Sequence, residues 1–258
     1  MAWGPLAIAF LAIINLDYSV SQLSQDSVFS NQRVTGFCGT HTIQEYNACK
    51  SLLFRSVGFN PAEYPDDILT EDPVEKLTQK IRLDFNDPLL YNDRGLVYAK
   101  QNKLDLAIED FSEAIRLDSE LSPAYYNRAV AYEKLGQFKK ALIDYSLAIE
   151  IQPSYENAHF NRGCLFVQVE KFALAIKDFR LVLSINSENP FAHYNLGIAL
   201  GANGELHSAI RSLSTAIELD PNLFQSYYNR GIAFSKIGEI NKAVLDIEKA
   251  AHLQKLLK

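Results

Sequence analysis

The chain has 258 residues, 48% of them hydrophobic and 22% charged, enough length and apolar content for a substantial core. A net charge of −6 and a pI near 5.4 argue against a nucleic-acid binder, which presents a basic field. Twelve glycines and nine prolines are too few for a low-complexity chain.

Residues 1–16, MAWGPLAIAFLAIINL, carry no charge and then meet Asp17 and a polar stretch. The run is short for a membrane span and suits the core of a signal peptide, with Ser19, Val20 and Ser21 as a small-x-small cleavage pattern. No Lys or Arg precedes it, so an uncleaved anchor and a buried N-terminal helix stay open beside cleavage after residue 21. Export (periplasmic, lumenal or secreted) or membrane anchoring is favoured over a cytoplasmic location, with membrane contact expected through residues 1–16. Residues 22–71 form an N-terminal extension. In it Thr42 and Glu45 make a capping box that opens a helix toward residue 57, stopped by Gly58 and Pro61. Cys38 and Cys49 are candidates for a disulfide if the chain is exported. Read as zinc ligands, Cys38, His41 and Cys49 lack a fourth, for which Glu45 is a weak choice, so no metal is expected.

Residues 72–87, DPVEKLTQKIRLDFND, read as one helix with Asp72 as N-cap and Pro73 at its first position. From residue 88 the chain restates itself. Asn127, Asn161, Asn195 and Asn229 are 34 residues apart, and a period of 34 marks a helix–turn–helix solenoid. It divides the sequence into units 1 to 5: 88–121, 122–155, 156–189, 190–223 and 224–257. Position 8 is small (Gly95, Ala129, Gly163, Gly197, Gly231) and position 20 is alanine throughout. Position 24 is large (Phe111, Tyr145, Phe179, Leu213, Ile247), so large side chains on one helix meet small ones on its antiparallel partner. Gly136, Gly204 and Gly238 punctuate the turn inside a unit, and Pro153 and Pro221 the turn between units.

These positions resemble the tetratricopeptide repeat (TPR) family, most fully in AYYNRAVAYEKLGQFKKALIDYSLAIEIQPS (124–154). The resemblance covers residues 88–257, and residues 72–87 resemble the second helix of another unit, a half-repeat or cap. It implies an all-α, right-handed solenoid with a less regular N-terminal region. It also implies a non-enzymatic scaffold that binds a protein or peptide segment on its concave face, without a cofactor. The alternative is an exported or membrane-associated factor that assists assembly of a membrane complex.

Arg94, Arg128, Arg162 and Arg230 at position 7 accompany Asp110, Asp144, Asp178 and Asp246 at position 23, and both are lost together in unit 4 as Leu196 and Ser212. The economical reading is one structural salt bridge within each of the four units. The resemblance places positions 5, 6 and 9 on the concave face. There Asn127, Asn161, Asn195 and Asn229 either hydrogen-bond the backbone of an extended ligand or satisfy neighbouring groups of the chain itself. Tyr126, Phe160, Tyr194, Tyr228 and Ile198 then make an apolar inner stripe with Lys134 and Lys236 along one margin, and Gly201 leaves a dent beside Tyr194 and Ile198. The carboxylate clamp of chaperone-binding relatives is missing, because position 9 is apolar throughout. GIALGANG (197–204) is not a phosphate loop, since Gly197 and Gly204 are repeat glycines and no strand precedes them. His159 and His193 take an aromatic packing position. No nucleophile–base set stands outside the pattern, and the last helix, ending AHLQKLLK, is a candidate for self-association or docking.

Overall fold

The computed structural model describes residues 72–256. Among them are eleven α-helices and no strand. A first helix, α1 (Pro73–Leu83), is followed by five antiparallel hairpins. These are α2 (Pro88–Lys100) with α3 (Leu104–Leu117), α4 (Ser122–Lys134) with α5 (Phe138–Ile151), and α6 (Glu156–Gln168) with α7 (Phe172–Ile185). Then come α8 (Pro190–Ala202) with α9 (Leu206–Leu219), and α10 (Phe224–Lys236) with α11 (Ile240–Lys255). The hairpins coincide with units 1 to 5. Asp72 caps α1, its side chain accepting from the Val74 N–H, with Pro73 opening the helix where a missing donor does no harm.

Each hairpin closes by the same chemistry. The N–H three residues past the end of the first helix reaches back five residues to a carbonyl, as from Lys103 to Tyr98, Gln137 to Tyr132 and Lys171 to Phe166. That geometry needs a left-handed residue at position 15. Gly136, Gly204 and Gly238 supply it with φ of 71°, 87° and 86°. Asn102 and Glu170 adopt φ of 59° in the other two units, so the conformation belongs to the turn and not to glycine.

The core runs down the middle of every hairpin. Ala107, Phe111 and Ala114, then Ala141, Tyr145 and Ala148, Ala175, Phe179 and Val182, and Ala209, Leu213 and Ala216 are fully buried. Small residues at position 8 make room for position 24: a Cβ on Gly163 would stand 2.8 Å from Phe179, and one on Gly197 2.6 Å from Leu213. Successive first helices also touch one another (α2 with α4, α6 with α8, α8 with α10), which puts them on the inner side of the solenoid.

Candidate functional site

The four arginines lie between the helices of their own unit and reach one unit back. In unit 2, Arg128 Nε donates to Asp144 Oδ2 at 2.7 Å and Nη2 to Oδ1 at 2.9 Å, a bidentate clamp. Its Nη1 donates to Ser112 Oγ at 3.0 Å, and that hydroxyl donates to the Ile108 carbonyl. The same three-way link joins Arg94 to Asp110 and Thr78, Arg162 to Asp178 and Ser146, and Arg230 to Asp246 and Ser214. Aromatic rings flank the guanidinium: Tyr125 and Tyr132 lie 5.7 and 5.9 Å from Arg128, and Tyr227 and Phe234 both 5.8 Å from Arg230. With its charge spent on an aspartate and a third N–H on the previous unit, each arginine ties three helices together. The hydroxyl at position 25 was readable in the register (Thr78, Ser112, Ser146, Ser214), and a period-by-period comparison of polar residues finds it. In unit 4 the third partner goes as well, since position 25 of the preceding unit is the exposed Arg180.

His159 extends one of these links. Its Nδ1 lies 2.9 Å from Asp178 Oδ1 and its Nε2 3.0 Å from the Pro153 carbonyl. Burial pushes the Asp178 carboxyl up, but hydrogen bonds from Arg162 and His159 outweigh it and hold the group below the usual carboxylate range. His193 Nε2 meets the Ser187 carbonyl at 3.0 Å, as Tyr91 Oη meets Phe85 in unit 1. In units 1, 3 and 4 position 4 is thus a polar-tipped packing position that anchors the preceding turn.

The asparagines bind the chain to itself. Asn127 Nδ2 donates to Asn92 Oδ1 at 2.9 Å, Asn161 Nδ2 to Tyr126 Oη at 2.9 Å, and Asn229 Nδ2 to Tyr194 Oη at 3.4 Å. Each bond runs from position 6 of one unit to position 5 of the unit before. Asn229 also donates to the Gln225 carbonyl of its own helix at 2.9 Å, and Asn195, which faces Phe160 with no hydroxyl, keeps only the matching bond to the Phe191 carbonyl at 2.9 Å. Burial holds the Tyr126 phenol well above its ordinary range, with Tyr155 and Glu133 adding to it, so the hydroxyl stays neutral beneath Asn161. Tyr155, also by burial, is pushed up to about 12.

This stacking corrects the expectation of an open aromatic stripe. Tyr126, Phe160 and Tyr194 are 8, 6 and 6% exposed, and Ile198, Gly201, Asn161 and Asn229 are buried with them. The first helices approach so closely that position 6 of one unit covers position 5 of the last. Tyr228 in unit 5, whose hairpin ends the described residues, is only half-buried. What stays accessible on this side is more polar: half-buried Asn127 and Asn195, and exposed Lys100, Lys134 and Lys236 at position 13. Among the described residues no three His, Cys, Asp or Glu gather as a metal site, and no helix is long and apolar enough to cross a membrane. Cys38, Cys49 and residues 1–21 lie outside the described residues.

Family models described as tetratricopeptide repeat match residues 122–155, 156–189 and 224–255, and one described as TPR repeat matches 95–136 and 201–238. No curated protein sequence matches. Among solved structures the chain is similar to YrrB, described as a TPR protein with an unusual peptide-binding site, at 23% identity and a TM-score of 0.66 over 70% of this chain and 94% of that one. It is also similar to MamA 41-end from Desulfovibrio magneticus RS-1, at 18% identity and a TM-score of 0.63 over 66% of this chain and 96% of that one. At these identities the likeness is one of fold.

Proposed function

Since the chain belongs to the tetratricopeptide repeat family, we propose that it is a non-enzymatic scaffold that holds an extended, acidic segment of a protein partner along its first-helix face. The observation that carries this reading is the row of exposed lysines at position 13, Lys100, Lys134 and Lys236. Position 13 lies two turns beyond position 6, on the same side of each first helix, so the lysines and the half-buried Asn127 and Asn195 share one surface. The two amides already spend a nitrogen donor within the chain, so their carbonyl oxygens are what they offer a ligand's N–H groups. A peptide with carboxylates at spaced intervals fits that surface. The peptide-binding site in the description of YrrB belongs to that protein and supports the reading by likeness of fold only.

The test is selection of phage-displayed peptides on the full chain, followed by affinity measurement with Lys100→Glu, Lys134→Glu and Lys236→Glu combined. Acidic peptides are expected, with affinity falling at least about tenfold in the triple variant while helicity is kept. Equal binding by the triple variant sinks the proposal. A second reading rests on the uncharged run at 1–16: the scaffold is held at or carried across a membrane, where it assists assembly of a membrane complex. The intact mass of the mature chain and its extraction from membranes by carbonate check it. A full-length, freely soluble chain in the compartment where it was made excludes it.

A further inference from the structure

The boundary between one unit and the next is built on positions 21, 25 and 28 of the earlier unit's second helix. These share one helix face, with an aliphatic residue on either side of a hydroxyl: Ile108, Ser112 and Ile115 in α3, Leu142, Ser146 and Ile149 in α5. The hydroxyl takes the arginine of the incoming helix. In α11 the same three positions are Val244, Glu248 and Ala251. Glu248 is exposed and has no hydrogen bond or ion pair among the described residues.

We infer that this end face of α11 receives a single amphipathic helix from a partner protein, carrying an arginine that pairs with Glu248. Inside the solenoid a neutral hydroxyl suffices at position 25, because the incoming arginine is already neutralised by the aspartate of its own unit's second helix. A lone helix brings no such aspartate. Its guanidinium needs the balancing charge from the receiving face, and a carboxylate stands there. A further complete repeat, by contrast, would set its own aspartate against Glu248, two like charges around one cation. Ala251, smaller than the Ile81, Ile115, Ile149, Leu183 and Ile217 found at position 28 elsewhere, leaves room for a larger apolar residue of the partner. This surface lies on the last hairpin of the described residues and is independent of the first-helix face.

The probe is a fluorescein-labelled, hydrocarbon-stapled helix with the sequence of residues 122–135, SPAYYNRAVAYEKL, which inside the chain docks on α3 through Arg128. Its binding to the full chain is followed by anisotropy, with circular dichroism confirming that each variant is folded. Saturable binding is expected, weakened at least about tenfold by Glu248→Arg and restored when that variant meets a probe carrying Arg128→Glu. No saturation up to about 1 mM, or binding indifferent to residue 248, overturns the inference. Sedimentation equilibrium closes the remaining route: a dimer of the wild-type chain that Glu248→Arg abolishes would give this face to a second copy and overturn the partner helix.

Discussion

Phe160 shows how much one oxygen atom decides. Three of the four position-6 asparagines find a side-chain acceptor in the unit before, and Asn195 does not, because Phe160 lacks the hydroxyl of Tyr126 and Tyr194. Phe160→Tyr is therefore expected to give Asn195 a second acceptor beside the Phe191 carbonyl, as Tyr194 does for Asn229 beside the Gln225 carbonyl, and to gain up to about 1 kcal/mol in urea unfolding. A loss of stability with the Asn195 amide resonances unmoved would show that the ladder cannot be completed there. Glu170 is strained in a different way, by a left-handed backbone with φ of 59° in a residue with a Cβ. Glu170→Gly relieves that conformation and should gain about 0.5–1 kcal/mol, read from the denaturant midpoint. Asp178 links stability to pH. Its carboxyl is held below the usual range, so its contribution is complete above the unfolded value of about 3.9 and is lost as pH falls through the lower folded one. Unfolding between pH 7 and pH 3 should show an acid limb that flattens in Asp178→Asn, whatever that variant loses at neutral pH.

At the level of the element, unit 4 exchanges a polar link for apolar packing. Leu196, at 7% exposure, fills the place of the arginine, and Ser212 and Arg180 replace the aspartate and the hydroxyl. Leu196→Arg alone buries a cation with no carboxylate and should destabilise by about 3 kcal/mol. Adding Ser212→Asp and Arg180→Ser rebuilds the constellation seen in the other four units and should recover most of that loss. Denaturant curves of the single and triple variants check it, and a triple variant no better than the single would mean that the link depends on more than these three positions. The pairing of arginine with aspartate was readable because both disappear together in one unit. The direction of the asparagines was not, since position 6 lies at the border between a face that meets solvent and one that meets the next helix. Only the spacing of neighbouring first helices decides between them. The left-handed turn at Glu170 was hidden for a similar reason: three units announce it with glycine, whereas Glu170 reveals nothing until the hydrogen bond from Lys171 to Phe166 is seen.

For the molecule as a whole, the 34-residue period determines helix number, pairing and core, because each unit contacts chiefly its neighbours and the same contacts recur. Residues 1–71 carry no such period, and there the sequence offers only local signals. Recurrence also makes the exception at units 3 and 4 matter beyond its own residues. That seam is closed by Ile176, Leu196 and Leu200 together with Phe160, Cys164 and Phe179, and lacks the charged link found at the other boundaries. Apolar burial loses strength on cooling, whereas the hydrogen bond from a guanidinium to a hydroxyl that the other boundaries add to their packing does not share that dependence. Near 0 °C the seam should become the weakest joint in the array, with amide exchange rising first along α7 and α8. In the cold the molecule would then part into two blocks, 72–189 and 190–256, each still tied within itself by its arginines.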